Sequence, residues 1–211
     1  MKTKSIILAA AMGTLALIAS QAHAALVVIT PVDAEADTEF NANFEAVNVI
    51  NNSGLTGTGI TATHATAAGG TVWAGAPGTA ATVLPNSIRF DLGDTYTVSD
   101  LHIWQYANSG FWAKDITVQF STDGMSGTYS GSQTILLLEG STGPVSSQNF
   151  SITPVIANAV QFTITSTYDD PEFTLAGLSE VKFSGVAVPE PSSTALLGLS
   201  GLALMLRRKR S

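Results

Sequence analysis

The chain has 211 residues, with 9 Lys and Arg against 16 Asp and Glu, and it contains no cysteine. The lack of cysteine excludes thiol catalysis, disulfides and Cys-ligated zinc sites. Six basic residues lie near the two termini, so residues 25–191 hold three basic residues against all 16 acids, a net charge of −13. A surface this acidic repels phosphate backbones, which excludes nucleic acid as a natural partner.

The first 24 residues have the pattern of a secretory signal peptide. Lys2 and Lys4 precede an apolar run at 6–19, and Ala22-His23-Ala24 is a small-x-small cleavage site. We predict cleavage after Ala24. The alternative, an uncleaved membrane anchor, is disfavoured because the apolar run is shorter than the roughly 20 residues that span a bilayer.

Period-two alternation of apolar and polar residues dominates the middle of the chain and predicts β-strands. At 88–92, for example, three apolar side chains share one face and two charged side chains share the other. Short strands separated by Gly, Ser, Asn and Pro predict one all-β sandwich domain over residues 25–187. The other predicted strands are 26–30, 98–106, 115–120, 134–138, 150–152, 160–164 and 179–183.

Two early segments lack this alternation. Residues 51–78 are crowded with Gly, Thr and Ala, and a loop of this length is usually functional or mobile. The acids at 33, 35, 37 and 39 imitate the start of an EF-hand loop, but Thr38 stands where Gly is required and Phe44 where the bidentate Glu belongs. We interpret this second segment as a solvated acidic arm.

The last 24 residues, 188–211, combine three parts. Pro189-Glu190-Pro191 favours an extended, accessible segment, 192–206 is apolar and nearly uncharged, and four basic residues follow at 207–210. This order resembles the PEP-CTERM sorting signal. The resemblance implies a Gram-negative-type bacterium, a C-terminal transmembrane helix held transiently in the inner membrane, and an exosortase that cuts at the motif. The protein would then be secreted or remain associated with the cell envelope.

The order of segments between the two terminal signals resembles the discoidin, or coagulation factor five/eight type C, group of galactose-binding-like domains. The resemblance covers roughly residues 40–185 and implies an eight-stranded jelly-roll β-sandwich with ligand loops at one end. Asn52-Ser53 stands where family members often carry Asp-Gly, and Lys114 stands where many carry Arg. The matching segments are 48–55, 71–73, 88–93, 101–106, 114–124, 159–164 and 177–183.

Aromatic residues around a Gly-, Ser- and Asn-containing turn form the first candidate site. The apolar face of a pyranose stacks on aromatic rings, and an amide or ammonium group can bond its hydroxyls; partly exposed aromatics are also common at protein interfaces. We predict that Trp73 and Trp104 belong to the core. The predicted ligand-binding residues are Tyr106, Asn108, Phe111, Trp112, Lys114 and Tyr168.

A calcium ion is the second candidate, since discoidin-like domains often tie the first loop to the final strand through a structural ion. Hard cations need several oxygen ligands, which a loop rich in Asn and Ser supplies. The alternative is that Glu180 is an exposed side chain on the last strand. The acids 169, 170 and 172 could also meet a cation or sugar hydroxyls. The predicted calcium ligands are Asn48, Asn51, Asn52, Ser53 and Glu180.

Enzyme chemistry has little support in the sequence. Only His64 and His102 remain once the signal peptide is removed, and no nucleophile elbow, zinc-helix motif or phosphate loop occurs. We therefore predict a non-catalytic module that binds carbohydrate, namely the producer's exopolysaccharide or an envelope glycan. Two alternatives stay open: a structural or protein-binding component of an extracellular matrix, and a weak glycosidase whose paired carboxylates meet only in three dimensions.

Overall fold

The computed structural model describes residues 25–75, 84–168 and 175–189. The predicted signal peptide, the acids of 169–172, the apolar tail and all of the Pro-Glu-Pro motif except Pro189 lie outside these residues. Within the described ranges, no helix is long and apolar enough to cross a membrane. The strands are β1 (Val27–Ile29), β2 (Asp33–Ala36), β3 (Leu55–Thr56), β4 (Thr63–His64), β5 (Trp73–Ala74), β6 (Asn86–Gln105), β7 (Asp115–Ser121), β8 (Ser130–Leu136), β9 (Val145–Ile164) and β10 (Gly177–Ala187), and the 3-10 helices are Ala46–Ile50 and Gly59–Thr61.

The two 20-residue strands, β6 and β9, pair antiparallel with each other and organise the fold. The first half of β6 pairs with β2, and its second half pairs with β10. The second half of β9 pairs with β7, which in turn pairs with β8. The β6–β9 register breaks between Asp91 and Tyr96, where Gly93 has a φ of 77°. Both long strands therefore bend there and contribute to both layers of a sandwich.

Three phenylalanines join the two layers at the centre of the main core. Phe90 on β6 and Phe162 on β9 lie 5.1 Å apart between ring centroids, and Phe183 on β10 contacts both at 5.6 and 5.9 Å. All three side chains have no exposed surface. Such edge-to-face contacts stabilise aromatic pairs beyond the area they bury. The predicted all-β jelly-roll sandwich is confirmed.

Alternation predicted the faces of the strands better than their ends. Ile88, Phe90 and Leu92 are buried as expected, but the strand predicted at 88–92 continues into the one predicted at 98–106. The strands predicted at 150–152 and 160–164 are likewise one strand, because β9 keeps pairing with β6 through residues 155–159. The described residues form ten strands where the resemblance implied eight, and β2 to β5 are only two to four residues long.

The acidic arm is not simply solvated, which corrects the sequence interpretation. Residues Asp33–Ala36 form β2, with its acidic side chains exposed and its backbone paired to β6. Asp37 forms an ion pair with Arg89 at 2.8 Å. The carboxylate of Glu39 accepts a hydrogen bond of 2.8 Å from the backbone of Ala46, at the start of the first 3-10 helix. These contacts hold the arm against the sandwich.

A second core lies on the other face of β6, beneath the segment 51–71. Trp104 has no exposed surface and donates a 2.8 Å hydrogen bond from its indole to the carbonyl of Ala62. Ser147 on β9 donates a 2.6 Å bond to the carbonyl of Ile60. The prediction that Trp73 and Trp104 are core residues is confirmed, but Trp104 belongs to this separate cluster. The long glycine-rich segment is thus a cover over the sheet.

Candidate functional site

The candidate ligand loop, residues 107–114, begins where β6 ends and is held by one buried amide. The side-chain oxygen of Gln105 accepts bonds from the backbone N–H groups of Tyr106 and Ala113, at 3.2 and 3.1 Å. Its side-chain nitrogen donates to the carbonyls of Ala113 and Leu138, at 2.6 and 3.1 Å. Gln105 is only 1% exposed, so all of its hydrogen-bonding capacity is spent on fixing this loop.

The same loop is tied to two more distant parts of the chain. The backbone of Gly177, at the start of β10, donates a 2.8 Å bond to the carbonyl of Phe111. The backbone of Tyr168 donates a 3.0 Å bond to the carbonyl of Trp112. Because three chain segments meet here through backbone bonds, the aromatic side chains are displayed on a rigid frame.

Five aromatic residues cluster at this end of the sandwich, and we call them the aromatic platform. The rings of Tyr106 and Phe111 are 4.8 Å apart between centroids, Phe40 lies 6.5 Å from Phe111, and Phe44 lies 5.7 Å from Phe40. Trp112 packs against the same cluster and donates a 3.0 Å bond from its indole to the carbonyl of Tyr106. Phe40 is 43% exposed, Phe111 and Trp112 are half-buried, and Tyr106 is only 4% exposed.

The predicted ligand residues at the platform differ in their exposure. Phe111 and Trp112 have accessible surface, whereas Tyr106 lies beneath them, where burial raises the pKa of its hydroxyl. Asn108 is exposed at the tip of the loop. All three aromatics therefore lie at one site, with Tyr106 as a support for the other two.

Two further predicted ligand residues form a pair beside the platform. The ammonium of Lys114 lies 5.4 Å from the ring centroid of Tyr168, within range of a cation–π contact. The hydroxyl of Tyr168 donates a 2.7 Å bond to the carbonyl of Leu137. The six predicted residues therefore lie around one end of the sandwich.

The predicted calcium site centres on a buried carboxylate with no hydrogen bond. Glu180 has no exposed surface, and neither of its carboxylate oxygens has a hydrogen-bond partner. Burial raises the pKa of Glu180 to about 8, against the opposing effects of the Lys182 charge and of the backbone N–H of Asn52, which acts on the carboxylate although the two do not meet hydrogen-bond geometry. An unpaired buried carboxylate is costly, and a bound cation is one way to relieve that cost. Glu180 faces away from the main core as expected, but it is covered and not exposed.

The loop residues predicted as ligands are partly engaged with other groups. Lys182 donates a 2.5 Å bond to the side-chain oxygen of Asn52, which has a positive φ of 62°. The side-chain oxygen of Asn51 accepts a 2.7 Å bond from the backbone of Ser53. Asn48 donates its side-chain amide to two carbonyls at 3.1 Å. Glu180 fits a hard cation, whereas the loop would have to offer backbone carbonyls or release the Asn52 amide.

Sequence reasoning missed four residues at these sites. Phe40 was not singled out, and Phe44 was considered only as the last position of the EF-hand-like pattern; backbone bonds from Phe40 to the carbonyl of Ala74 and from Ala74 to the carbonyl of Phe44 bring both rings to the platform. Gln105 lies inside the strand predicted at 98–106 and was not singled out. Lys182 was not singled out either; it is 5% exposed, with its ammonium 5.9 Å from the ring centroid of Trp104.

Replacing Gly177 with alanine should disturb the platform from below. An added Cβ would lie 2.5 Å from the ring of Tyr106 and 2.7 Å from the carbonyl of Trp73, so both contacts must be relieved by movement of the ring and of the backbone. Overpacking of this kind typically costs about 1–3 kcal/mol. We expect Gly177→Ala to lower the melting temperature. Gly143→Ala should leave it unchanged, because a Cβ added there meets open space. Equal melting temperatures for the two variants would contradict close packing around Gly177.

The described fold and its loop cluster define a galactose-binding-like jelly-roll sandwich. The family model of the F5/8 type C domain matches residues 46–177, and the chain belongs to that family. The model of the PEP-CTERM protein-sorting motif matches residues 187–210, and this motif implies an exported, envelope-associated protein. No curated protein matches the chain.

Solved structures of low sequence identity share this fold. The family 32 carbohydrate-binding module of Clostridium perfringens NanJ, in complex with galactose, has 16% identity and a TM-score of 0.51, covering 76% of this chain and 99% of that one. Chitosan-binding module 1 of a Paenibacillus sp. IK-5 chitosanase/glucanase has 22% identity and a TM-score of 0.53, covering 74% and 96%. The C-terminal domain of a Bacteroides fragilis chitobiase has 14% identity and a TM-score of 0.56, covering 77% and 100%.

Proposed function

We propose that this protein is an exported, non-catalytic carbohydrate-binding module that binds the producer's exopolysaccharide or an envelope glycan. The observation that carries the proposal is the aromatic platform, with Phe40, Phe111 and Trp112 accessible on a frame fixed by Gln105. Asn108 and Lys114 lie beside it as partners for sugar hydroxyls. A similar module in complex with galactose and a similar chitosan-binding module support the same ligand class.

A structural calcium ion is part of this proposal. Glu180 would hold it through its unpartnered carboxylate, and the loop of Asn48, Asn51, Asn52 and Ser53 would supply oxygen atoms. The ion would neutralise the buried charge and fix the cover segment to β10. It would have no role in chemistry on the sugar.

The route of the protein is proposed from its two ends. The signal peptide would be removed after Ala24 during export across the inner membrane, and the apolar tail would hold the chain there transiently. An exosortase would then cut at Pro189-Glu190-Pro191, which follows the last strand directly. The matched sorting motif supports this route.

A structural role in an extracellular matrix is the second candidate, and the edge strand β1 favours it. Val27 and Val28 are 41% and 47% exposed, and their neighbours Leu26 and Val32 are 62% and 66% exposed. β1 pairs with β10 on one side, and it carries no charge that would block pairing with another chain on its other side. Concentration-dependent self-association without glycan binding would support this candidate.

Affinity electrophoresis tests the leading proposal. The sandwich fragment, residues 25–188, contains every strand and the whole core of the described chain, and it would migrate through gels containing the producer's exopolysaccharide, with calcium or with chelator. We expect retardation of the parent fragment. Trp112→Ala and Phe111→Ala should each weaken the interaction at least about fivefold, because removal of an aromatic stacking surface costs on the order of 1–3 kcal/mol.

A matched aromatic variant separates binding from folding. Tyr129 lies next to β8, outside the platform, so Tyr129→Ala should leave retardation unchanged. Near-ultraviolet circular dichroism would check that each variant keeps its tertiary structure. Unaltered mobility of the parent fragment under all conditions would reject carbohydrate binding for that polymer and favour the matrix role.

A further inference from the structure

An open cavity of about 210 Å³ is lined by the loop that joins β8 to β9 and by the start of β9, and we call it the loop cavity. For comparison, an apolar cavity of roughly 150 Å³ holds benzene, whereas pockets for drug-sized ligands measure about 300–1,000 Å³. The loop cavity therefore has room for one six-membered ring with its substituents. Its walls include Gln105, Glu139, Gly140, Ser141, Ser146 and Gln148.

Some polar side chains of the cavity are already hydrogen-bonded within the protein, and others lie on exposed residues and can bond to a ligand. The amide of Gln148 both donates to and accepts from the backbone of Leu138, at 2.9 and 2.7 Å, and the amide of Gln105 is fully used by the ligand loop. The carboxylate of Glu139 and the hydroxyl of Ser146 are on exposed residues. A carboxylate and a hydroxyl on a firm frame suit the hydroxyl groups of a sugar.

The loop cavity adjoins the aromatic platform through two shared residues. Gly140 lines the cavity, and a Cβ added to it would lie 2.5 Å from the indole of Trp112, so its backbone touches that ring. Gln105 lines the cavity and also holds the platform loop. A chain that stacks on Trp112 can therefore place its next unit in the cavity.

We propose that the loop cavity is a second sugar subsite, so that the protein binds along a glycan chain and not to one terminal unit. This inference rests on the proposed function of the platform. The carboxylate of Glu139, on a protein whose residues 25–191 hold 16 acids against three basic groups, selects a neutral or amino-bearing sugar and rejects a uronic acid.

Two pairs of variants test the subsite in the sandwich fragment. Ser146→Ile fills the cavity without adding a stacking surface, and Ser132→Ile makes the same change on β8, outside it. Glu139→Gln removes the cavity charge, and Glu35→Gln removes an exposed charge on β2. The probes are the producer's exopolysaccharide in affinity gels and its acid-hydrolysis fragments of one, two and three units as competitors.

We expect Ser146→Ile to weaken binding of the polymer and of the three-unit fragment at least fivefold, with inhibition by the one-unit fragment unchanged. Glu139→Gln should weaken polymer binding about twofold to threefold, and both control variants should match the parent. Should Ser146→Ile fail to fold, the Glu139→Gln comparison decides.

The outcomes distinguish this inference from the function on which it rests. If the Ser146→Ile variant or the Glu139→Gln variant is retarded as strongly as the parent fragment, the subsite is overturned and the platform proposal is unaffected. Tighter binding by Glu139→Gln would overturn the predicted charge of the sugar. A parent fragment that is not retarded at all would overturn both proposals.

Discussion

In the presence of a chelator, the free energy of unfolding of the sandwich fragment falls as the pH rises from about 4.5 to about 8, and Glu180→Gln removes most of that fall. Burial raises the pKa of Glu180 from 4.5 to about 8. Below pH 4.5 the carboxyl is protonated in both states and contributes nothing. Between the two values the unfolded chain releases a proton that the folded chain keeps, so stability decreases by up to about 1.4 kcal/mol per pH unit.

Calcium should reverse this behaviour if Glu180 is a ligand. The ion favours the ionised carboxylate, so millimolar calcium should raise the melting temperature at pH 8 and flatten the pH dependence. Glu180→Gln should not respond to calcium, and Glu35→Gln, which removes an exposed carboxylate, should behave like the parent. Identical pH curves for the parent and Glu180→Gln would contradict the buried-charge argument. If calcium does not change the melting temperature of the parent fragment, the proposed ion is rejected and the buried-charge argument stands.

Replacing Phe162 with alanine should destabilise the fold by about 3–5 kcal/mol, the usual cost of removing a buried phenylalanine. Its ring lies 5.1 Å from Phe90 and 5.9 Å from Phe183 between centroids, so the substitution opens a cavity between the two layers. Urea unfolding followed by tryptophan fluorescence measures the loss, since Trp73 and Trp104 are buried in the folded state.

Two other variants make the test of Phe162 specific. Ile156→Ala lies on the same strand but is 53% exposed, and it should cost well under 1 kcal/mol. If Phe162→Ala does not fold, Phe162→Leu should cost roughly 1–1.5 kcal/mol and give a measurable transition. A loss below 1 kcal/mol for Phe162→Ala would mean that the three rings do not act as one packed unit.

Local alternation is enough to predict which strand faces build the main core. Ile88 and Phe90 alternate with charged residues, and the structure buries the apolar pair. Strand ends are different, because β6 and β9 continue wherever the partner strand continues to offer backbone groups. That continuation depends on pairing between residues far apart in sequence, and a local pattern of apolar and polar residues cannot predict such pairing.

The second face of the sheet was harder to predict for the same reason. Alternation correctly directs Lys182 and Glu180 away from the main core, but a side chain on an outer face is buried only if another segment covers it. Here the segment 51–71 provides that cover, through bonds such as the one from Trp104 to Ala62. Its own sequence, rich in Gly and Thr, has no apolar periodicity to show where it lies.

The candidate ligand site was predicted in part because its main residues are close in sequence. Phe111, Trp112 and Lys114 share one loop, so their proximity follows from chain connectivity. Phe40 is 71 residues before Phe111 and arrives through the pairing of its backbone with Ala74. Aromatic composition could have suggested Phe40 as a candidate, but its partner could not be inferred.

The direction of β10 gives the molecule a polarity. This strand starts at Gly177, beside the platform, and runs 11 residues to Ala187, which is roughly 35 Å at about 3.3 Å per residue. The backbone of Val188 then bonds to Thr95, at the far end of the sheet. A chain tethered by its C-terminus would therefore hold its aromatic end outward, about one domain length from the tether. Neighbouring copies tethered to the same surface would form a layer with their aromatic ends facing away from it.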